Sequence, residues 1–240
     1  MKQISLSIVL LLLTMNSFAQ KGFGVDGSIG IGRNDGDLVY PLLLEGRMQL
    51  NNYLSVNLGL GLWNSGLKDS WKEDNPDTKV STLYRLSSNK TLPSLQLGTR
   101  LQAPVFTFKD KEIRLFVEPK LYFLPFSAQT VTLREVYYDM KSLPDGITYT
   151  EQEGTSKSES IKSESYPRFY GGIQVGFAFE LMENIDLAIS YGYTNMDLFK
   201  DLRGTSIQDQ SLKERSLNPY LPRTDLQQLS VSFLVNFNLN

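Results

Sequence analysis

The 240-residue chain contains no cysteine and no histidine. Without cysteine there are neither disulfides nor thiolate metal sites. Without histidine the commonest general base is missing, and with it the Ser-His and Cys-His nucleophile pairs and the imidazole ligands of zinc and haem. The formal net charge is only −2, so the chain has no basic footprint for nucleic acid. Beyond the first nineteen residues no apolar run approaches the roughly 20 residues of a transmembrane helix. Any membrane crossing must therefore be built from strands.

Those first nineteen residues have the three parts of a secretory signal: Lys2, the apolar run Ile4 to Met15, and the small-x-small site Ser17-Phe18-Ala19. The reading expects a signal peptide over residues 1–19 and a single domain over residues 20–240.

What the sequence does contain is alternation. Leu54, Val56, Leu58, Leu60 and Leu62 share one side of a strand, and Tyr53, Ser55, Asn57, Gly59 and Gly61 share the other. Just before them Leu42, Leu44, Gly46, Met48 and Leu50 oppose Leu43, Glu45, Arg47 and Gln49. A period of two puts successive side chains on opposite faces, so these are two strands with one apolar face each. Asn51-Asn52 marks the turn between them. Even-numbered residues are apolar in both strands, so partners such as Leu50 and Leu54 must sum to an even number. That predicts a three- or five-residue loop.

The same pattern recurs along the chain. A first strand covers Gly22 to Arg33, and Asp35-Gly36 is a two-residue hairpin signal that pairs Ile29 with Leu42 and Ile31 with Tyr40. Trp63 to Thr91 reads as a long polar connection in which Val80 to Leu86 can form a strand piece. A fourth strand covers Leu92 to Ala103, and a fifth starts at Ile113. Pro119 in the middle of the fifth predicts a bulge. In the longest connection, Pro125 to Ser165, Thr130 to Tyr138 is strand-like and continues the fifth strand outward. Thr155 to Ser165 is low in complexity and is expected to be mobile. Strands at Tyr166–Glu180, Ile185–Asn195 and Leu226–Asn240 complete the count, with a polar connection at Met196 to Asp225.

Eight strands with short connections at one end and mostly long ones at the other predict an all-β fold, an eight-stranded antiparallel up-and-down transmembrane β-barrel. The competitor is a soluble lipocalin-like barrel with its apolar face inside. Its other face would meet water and be crowded with Lys and Glu, whereas here that face is mostly Gly, Ser, Asn, Gln and Thr. Tyr40, Tyr53, Trp63, Phe123, Tyr166, Tyr193 and Phe237 lie near strand ends, as interfacial girdles do.

On this pattern the mature chain resembles the small outer-membrane β-barrels of OmpA/OmpX type, the porin-family outer-membrane proteins. The resemblance implies a bacterial outer membrane as location, outer-membrane lipid and lipopolysaccharide as surroundings, insertion by the barrel-assembly machinery, and a monomer. Members of that family commonly end on an aromatic residue. This chain ends Phe237-Asn238-Leu239-Asn240, so the aromatic is displaced by three residues. Hydrolytic outer-membrane barrels need a histidine that is absent here, so no enzyme and no cofactor is expected.

The inward face holds Asp26, Glu45, Glu118, Glu180 and Asp186 against Arg47, Arg100, Arg114, Lys120 and Arg168. Register places Glu45 opposite Asp26, with Arg47 one step along. A three-residue turn at Phe108-Lys109-Asp110 would place Arg100 opposite Glu118. Buried charges must be paired, and eight strands leave an interior just filled by side chains. The set reads first as a polar filling, second as a narrow ion pathway or gate, and third as a catalytic acid pair. Glu73-Asp74-Asn75-Pro76-Asp77 lacks calcium-loop spacing and reads as a solvated acidic turn. Among the loop aromatics, Trp63, Trp71 and Tyr84, then Tyr137, Tyr138 and Tyr149, can anchor a partner or brace β-ribbons; bracing is favoured. The expected role is structural or adhesive, with a small porin as the alternative.

Overall fold

The computed structural model describes residues 22–34, 37–143, 145–152, 156–208, 214–221 and 225–237. The expected signal peptide, the Asp35-Gly36 loop and the last three residues lie outside this set. The strands are β1 (Gly22–Asn34), β2 (Asp37–Gln49), β3 (Leu54–Asn75), β4 (Val80–Phe108), β5 (Lys111–Leu124), β6 (Thr130–Leu143), β7 (Gly146–Glu151), β8 (Lys157–Lys162), β9 (Arg168–Met182), β10 (Ile185–Thr194), β11 (Ser206–Gln208), β12 (Glu214–Ser216) and β13 (Leu226–Phe237). Eight of them close a ring in the order β1-β2-β3-β4-β5-β9-β10-β13, with β13 back on β1. All pairings are antiparallel.

Alternation decides which way each strand faces. Leu44, Leu58, Leu60, Leu97, Ile189 and Phe233 point outward and are exposed, while Asp26, Glu45, Arg47, Asn57, Arg100 and Glu118 point inward and are buried. An apolar exterior around a polar lumen is the inverse of a water-soluble barrel and requires a lipid surround. The chain is a transmembrane β-barrel. The inner wall is kept small where neighbours crowd it. A Cβ on Gly59 would sit 2.5 Å from the Leu44 carbonyl oxygen, and one on Gly176 would sit 2.3 Å from that of Ile189.

The hairpin registers follow the parity argument. Met48 pairs with Val56, and the Leu50 amide donates to the Leu54 carbonyl across the three-residue turn Asn51–Tyr53. Ile29 pairs with Leu42, and the rung Asn34–Asp37 flanks the first upper turn. The β4–β5 turn differs from expectation. It has two residues, Lys109 and Asp110, with φ of 49° and 62°, the left-handed pair of a type I′ turn. A register shift between Pro104 and Phe106 then restores the inner rungs, and Gly98 pairs with Lys120. The bulge therefore sits beside Val105. At Pro119, where it was expected, the β5–β9 ladder runs through Ile173 without a shift. A proline removes one donor but adds no residue, so it need not displace the register.

The long polar connections are largely strand. Trp63 to Thr91 is not a loop. β3 and β4 continue past the barrel as a hairpin paired up to Asn75–Val80. β6 lies beside β4 above the end of β5, as the outward-ribbon reading expected. Thr155 to Ser165 was expected to be mobile, yet Lys157–Lys162 forms β8 on β6, from Thr130–Lys162 to Glu135–Lys157. Alternating Ser and Glu leave little periodic signal, and it is the edge offered by β6 that makes the segment a strand.

Candidate functional site

The lumen holds the charge constellation, in layers set by strand register. In its lower half Asp26 stands opposite Glu45 on β1 and β2. Two facing carboxylates need cations. Arg47 Nη2 donates to Asp26 Oδ2 at 2.7 Å, and Lys120 Nζ reaches across from β5 to both Glu45 oxygens at 2.9 Å. Lys120 also lies 3.0 Å from Glu118 Oε1. Arg100 Nε donates to Glu118 Oε2 at 2.6 Å, and its Nη2 lies 3.6 Å from Asp26. Three acids and three bases thus form one connected ring of zero net charge. The guanidinium carbon of Arg100 sits 4.0 Å from the centre of the Phe116 ring, which backs it from below.

Asn57 was missed in the sequence. It is fully buried, accepts from Arg47 Nε at 3.1 Å and donates to Glu118 Oε1 at 2.7 Å. Its inward parity on β3 was legible, but its reach to β5 depends on how the ring closes.

The other four expected members are elsewhere. Arg114 pairs with Asp186 at 2.7 Å near the lower mouth, where Asn236 also donates to Asp186 at 3.3 Å. Glu180 faces Lys111 at 3.9 Å on the lower rim. Arg168 engages Asp201 at the upper end. The ten charges are therefore one group of six, the pair Arg114–Asp186, and two single charges, Glu180 and Arg168, each paired with a residue outside the ten.

Above the ring comes a band of amides and hydroxyls. Gln96, Gln228 and Ser230 are buried there with side-chain atoms that have no partner among the described residues. Higher still the lumen is apolar. Leu43, Trp63, Leu92, Tyr122 and Tyr170 on the wall pack with Met196, Leu198, Phe199, Leu202, Leu217 and Leu221 from the segment between β10 and β13.

Three of the loop aromatics, Trp63, Trp71 and Tyr84, join this upper packing. Trp63 is fully buried, its Nε1 donates to Ser94 Oγ at 2.9 Å, and it meets Tyr122 edge to face. Its odd number puts it on the inner face of β3, so it belongs neither to an interfacial girdle nor to a binding loop. Trp71 stacks between Tyr84 at 5.1 Å and Tyr220 at 4.0 Å. Tyr137 bonds Glu135, and Tyr138 is half-buried on β6. Tyr149 donates to Asp74 at 3.2 Å beneath the Lys72 ammonium. The acidic turn is exposed, with Asn75 Oδ1 accepting from the Asp77 amide at 3.1 Å. Among the described residues no cluster of acids suits a metal ion.

No family model matches the sequence, and no match was found among curated proteins. Among solved structures the chain is similar to Neisserial surface protein A, at 13% identity and TM-score 0.39 over 91% of this chain and 99% of that one. It is also similar to CarO2 of Acinetobacter baumannii, at 16% identity and TM-score 0.41 over 91% and 100%. A third is a major outer membrane protein of Thermus thermophilus, at 16% identity and TM-score 0.41 over 90% and 99%. The barrel assignment rests on the strand pairing and the outward apolar face.

Proposed function

We propose that the chain is a non-conducting barrel of a bacterial outer membrane, with a structural or adhesive role, holding a β-ribbon above the lipid. One observation carries this reading: the ring of Asp26, Glu45, Glu118, Arg47, Arg100 and Lys120, whose members are all paired, with Lys120–Glu45 and Arg100–Asp26 linking strands that are not neighbours. A permeant ion would have to part buried pairs, and breaking one costs about 3–5 kcal/mol. The apolar packing above adds a second barrier, because apolar constrictions exclude water. In this reading residues 1–19 direct export and are removed, barrel-assembly machinery inserts a monomer, and lipopolysaccharide and outer-membrane lipid surround it. No reaction is assigned, because each ring carboxylate is already engaged by cations.

Planar-bilayer recording tests the reading. The refolded barrel should give no stable current. A steady single-channel current that changes on altering Arg100 or Glu118 would overturn it in favour of a small porin, a rival that draws on the polar band of Gln96, Gln228 and Ser230. Recovery of the mature protein from the soluble fraction would overturn the membrane location itself.

A further inference from the structure

Above the membrane one face of the ribbon is basic. Lys68 on β3 has the even parity of the outward Leu58, Leu60 and Leu62, and register carries its face across to Ser87 on β4, Thr132 on β6 and Ser160 on β8. One step of the pleat higher, Arg85 stands directly opposite Arg134. At the lower end of β8, Lys162 stands opposite Thr130. Lys68, Arg85, Arg134 and Lys162 are all exposed, and none is within ion-pair distance of a carboxylate of the described residues. The odd-numbered acids Asp69, Glu73, Glu135 and Glu159 belong to the opposite face, in register with Leu86, Thr82, Tyr84 and Leu133. Acids of the basic face stand only at its margins. Asp74 and Glu151 flank its top, with Asp74 held by Lys72 and Tyr149, and Glu164 lies past the end of β8, bonded by Tyr166. Two like charges directly opposite each other destabilise a sheet, and an anion between Arg85 and Arg134 reverses that sign.

Direction and height name the source of the anion. The face continues the lipid-facing side of the wall, so it looks sideways over the membrane rather than up and away from it. Tyr40, exposed on the outer side of β2, pairs with Asn64, and Asn64 pairs with Thr91. Such an aromatic marks the level of the headgroups. Lys68 lies four residues past Asn64 on β3, and Arg85 six residues beyond Thr91 on β4. Strands rise about 3.4 Å per residue and tilt by about 40°, which puts Lys68 about 10 Å and Arg85 about 15 Å above that level. A phospholipid phosphate sits too low to reach them. The sugars that a glycolipid carries above its headgroup do not. Between the cations lie the hydroxyls of Ser70, Ser87, Thr132 and Ser160, which suit sugar hydroxyls as the cations suit phosphate. We propose that Lys68, Arg85, Arg134 and Lys162 bind the phosphorylated core sugars of a neighbouring outer-leaflet glycolipid. The proposal rests on the outer-membrane reading and adds a specific contact to it.

The test uses the full mature barrel in phosphatidylcholine nanodiscs, with native mass spectrometry reading the retention of two probes. One is lipopolysaccharide with a phosphorylated core oligosaccharide, and the other is bis-phosphorylated lipid A, which lacks the core. The double variant R85Q/R134Q should lower retention of the first about tenfold, as expected for two cations removed beside an anionic surface, and leave that of the second unchanged. K141Q, of opposite parity on β6, should change neither. Heat-modifiable mobility confirms that both variants are folded. Equal retention of the core-bearing lipid by wild type and double variant overturns the proposal. An equal loss of lipid A from the double variant overturns the core sugars as the ligand. Displacement of the retained lipid by equimolar heparin, a soluble polyanion, overturns the membrane as its source. Any of these results in a protein that still fractionates with membranes leaves the barrel reading standing. A soluble protein would remove both.

Discussion

Arg100 and Glu118 face each other inside the seam between β4 and β5, joined at 2.6 Å, although the turn that connects their strands is one residue shorter than an unbroken ladder needs for this pairing. The bulge beside Val105 supplies the missing residue. Glu118 is also the hub of the ring, since Lys120 and Asn57 depend on it.

Glu118→Ala should therefore destabilise the barrel by about 3–5 kcal/mol, the usual cost of stranding a buried charge. Arg100→Met combined with Glu118→Met should cost less than the sum of the single changes, because it removes both charges of the pair together. Urea unfolding from lipid bilayers, followed by tryptophan emission, measures both. Additive costs would show that the pair is not coupled.

The two glycine environments give an opposed pair of outcomes. Gly176→Ala puts a methyl group against the Ile189 carbonyl and 2.8 Å from Phe116, so overpacking should cost roughly 1–3 kcal/mol. Gly27 faces outward with nothing within 4 Å of an added methyl, so Gly27→Ala should be neutral or stabilise by up to about 1 kcal/mol. Unfolding midpoints in one lipid system decide it, and the same cost for both would contradict the inward and outward assignment.

Within the membrane the sequence was legible because one face of each strand must be apolar. Parity placed Leu50 near Leu54, and parity together with the Asp35-Gly36 turn signal placed Ile29 opposite Leu42 and Asp26 opposite Glu45. Above the membrane that constraint lapses. The ribbon faces water on one side and is anchored on the other by a few widely spaced residues such as Leu67, Trp71, Tyr84 and Leu86, so Trp63 to Thr91 read as a polar connection. Trp71 and Tyr84 are cross-strand partners, a pairing visible only once the hairpin register is known. The links from Lys120 to Glu45 and from Asn57 to Glu118 were out of reach for a different reason. They span the lumen, and no local pattern encodes which strands face each other after closure.

Trp71, braced by its cross-strand partner Tyr84, ties the ribbon to the segment between β10 and β13 by stacking on Tyr220, a pair worth roughly 0.5–1.5 kcal/mol beyond burial. Trp71→Ala should raise protease cleavage within residues 196–221 roughly two- to tenfold while the barrel keeps its heat-modifiable mobility. Cleavage unchanged from wild type would mean that the stack does not hold this segment down.

The membrane assignment itself can be read from a single outward leucine. Leu60 lies midway along the lipid-facing stretch of β3, is 60% exposed, and is flanked in register by Leu44 and Leu95. In water a change to arginine at so open a site would be nearly free, because the guanidinium would stay solvated. In hydrocarbon it should cost about 2–4 kcal/mol near the bilayer midplane. The same change at Asn64 on β3, one turn of the pleat above the apolar run, should cost about 0–1 kcal/mol. Unfolding of Leu60→Arg and Asn64→Arg in bilayers gives the difference directly. A clear cost at Leu60 that disappears at Asn64 follows from lipid around the barrel, and equal costs at both positions would refute it.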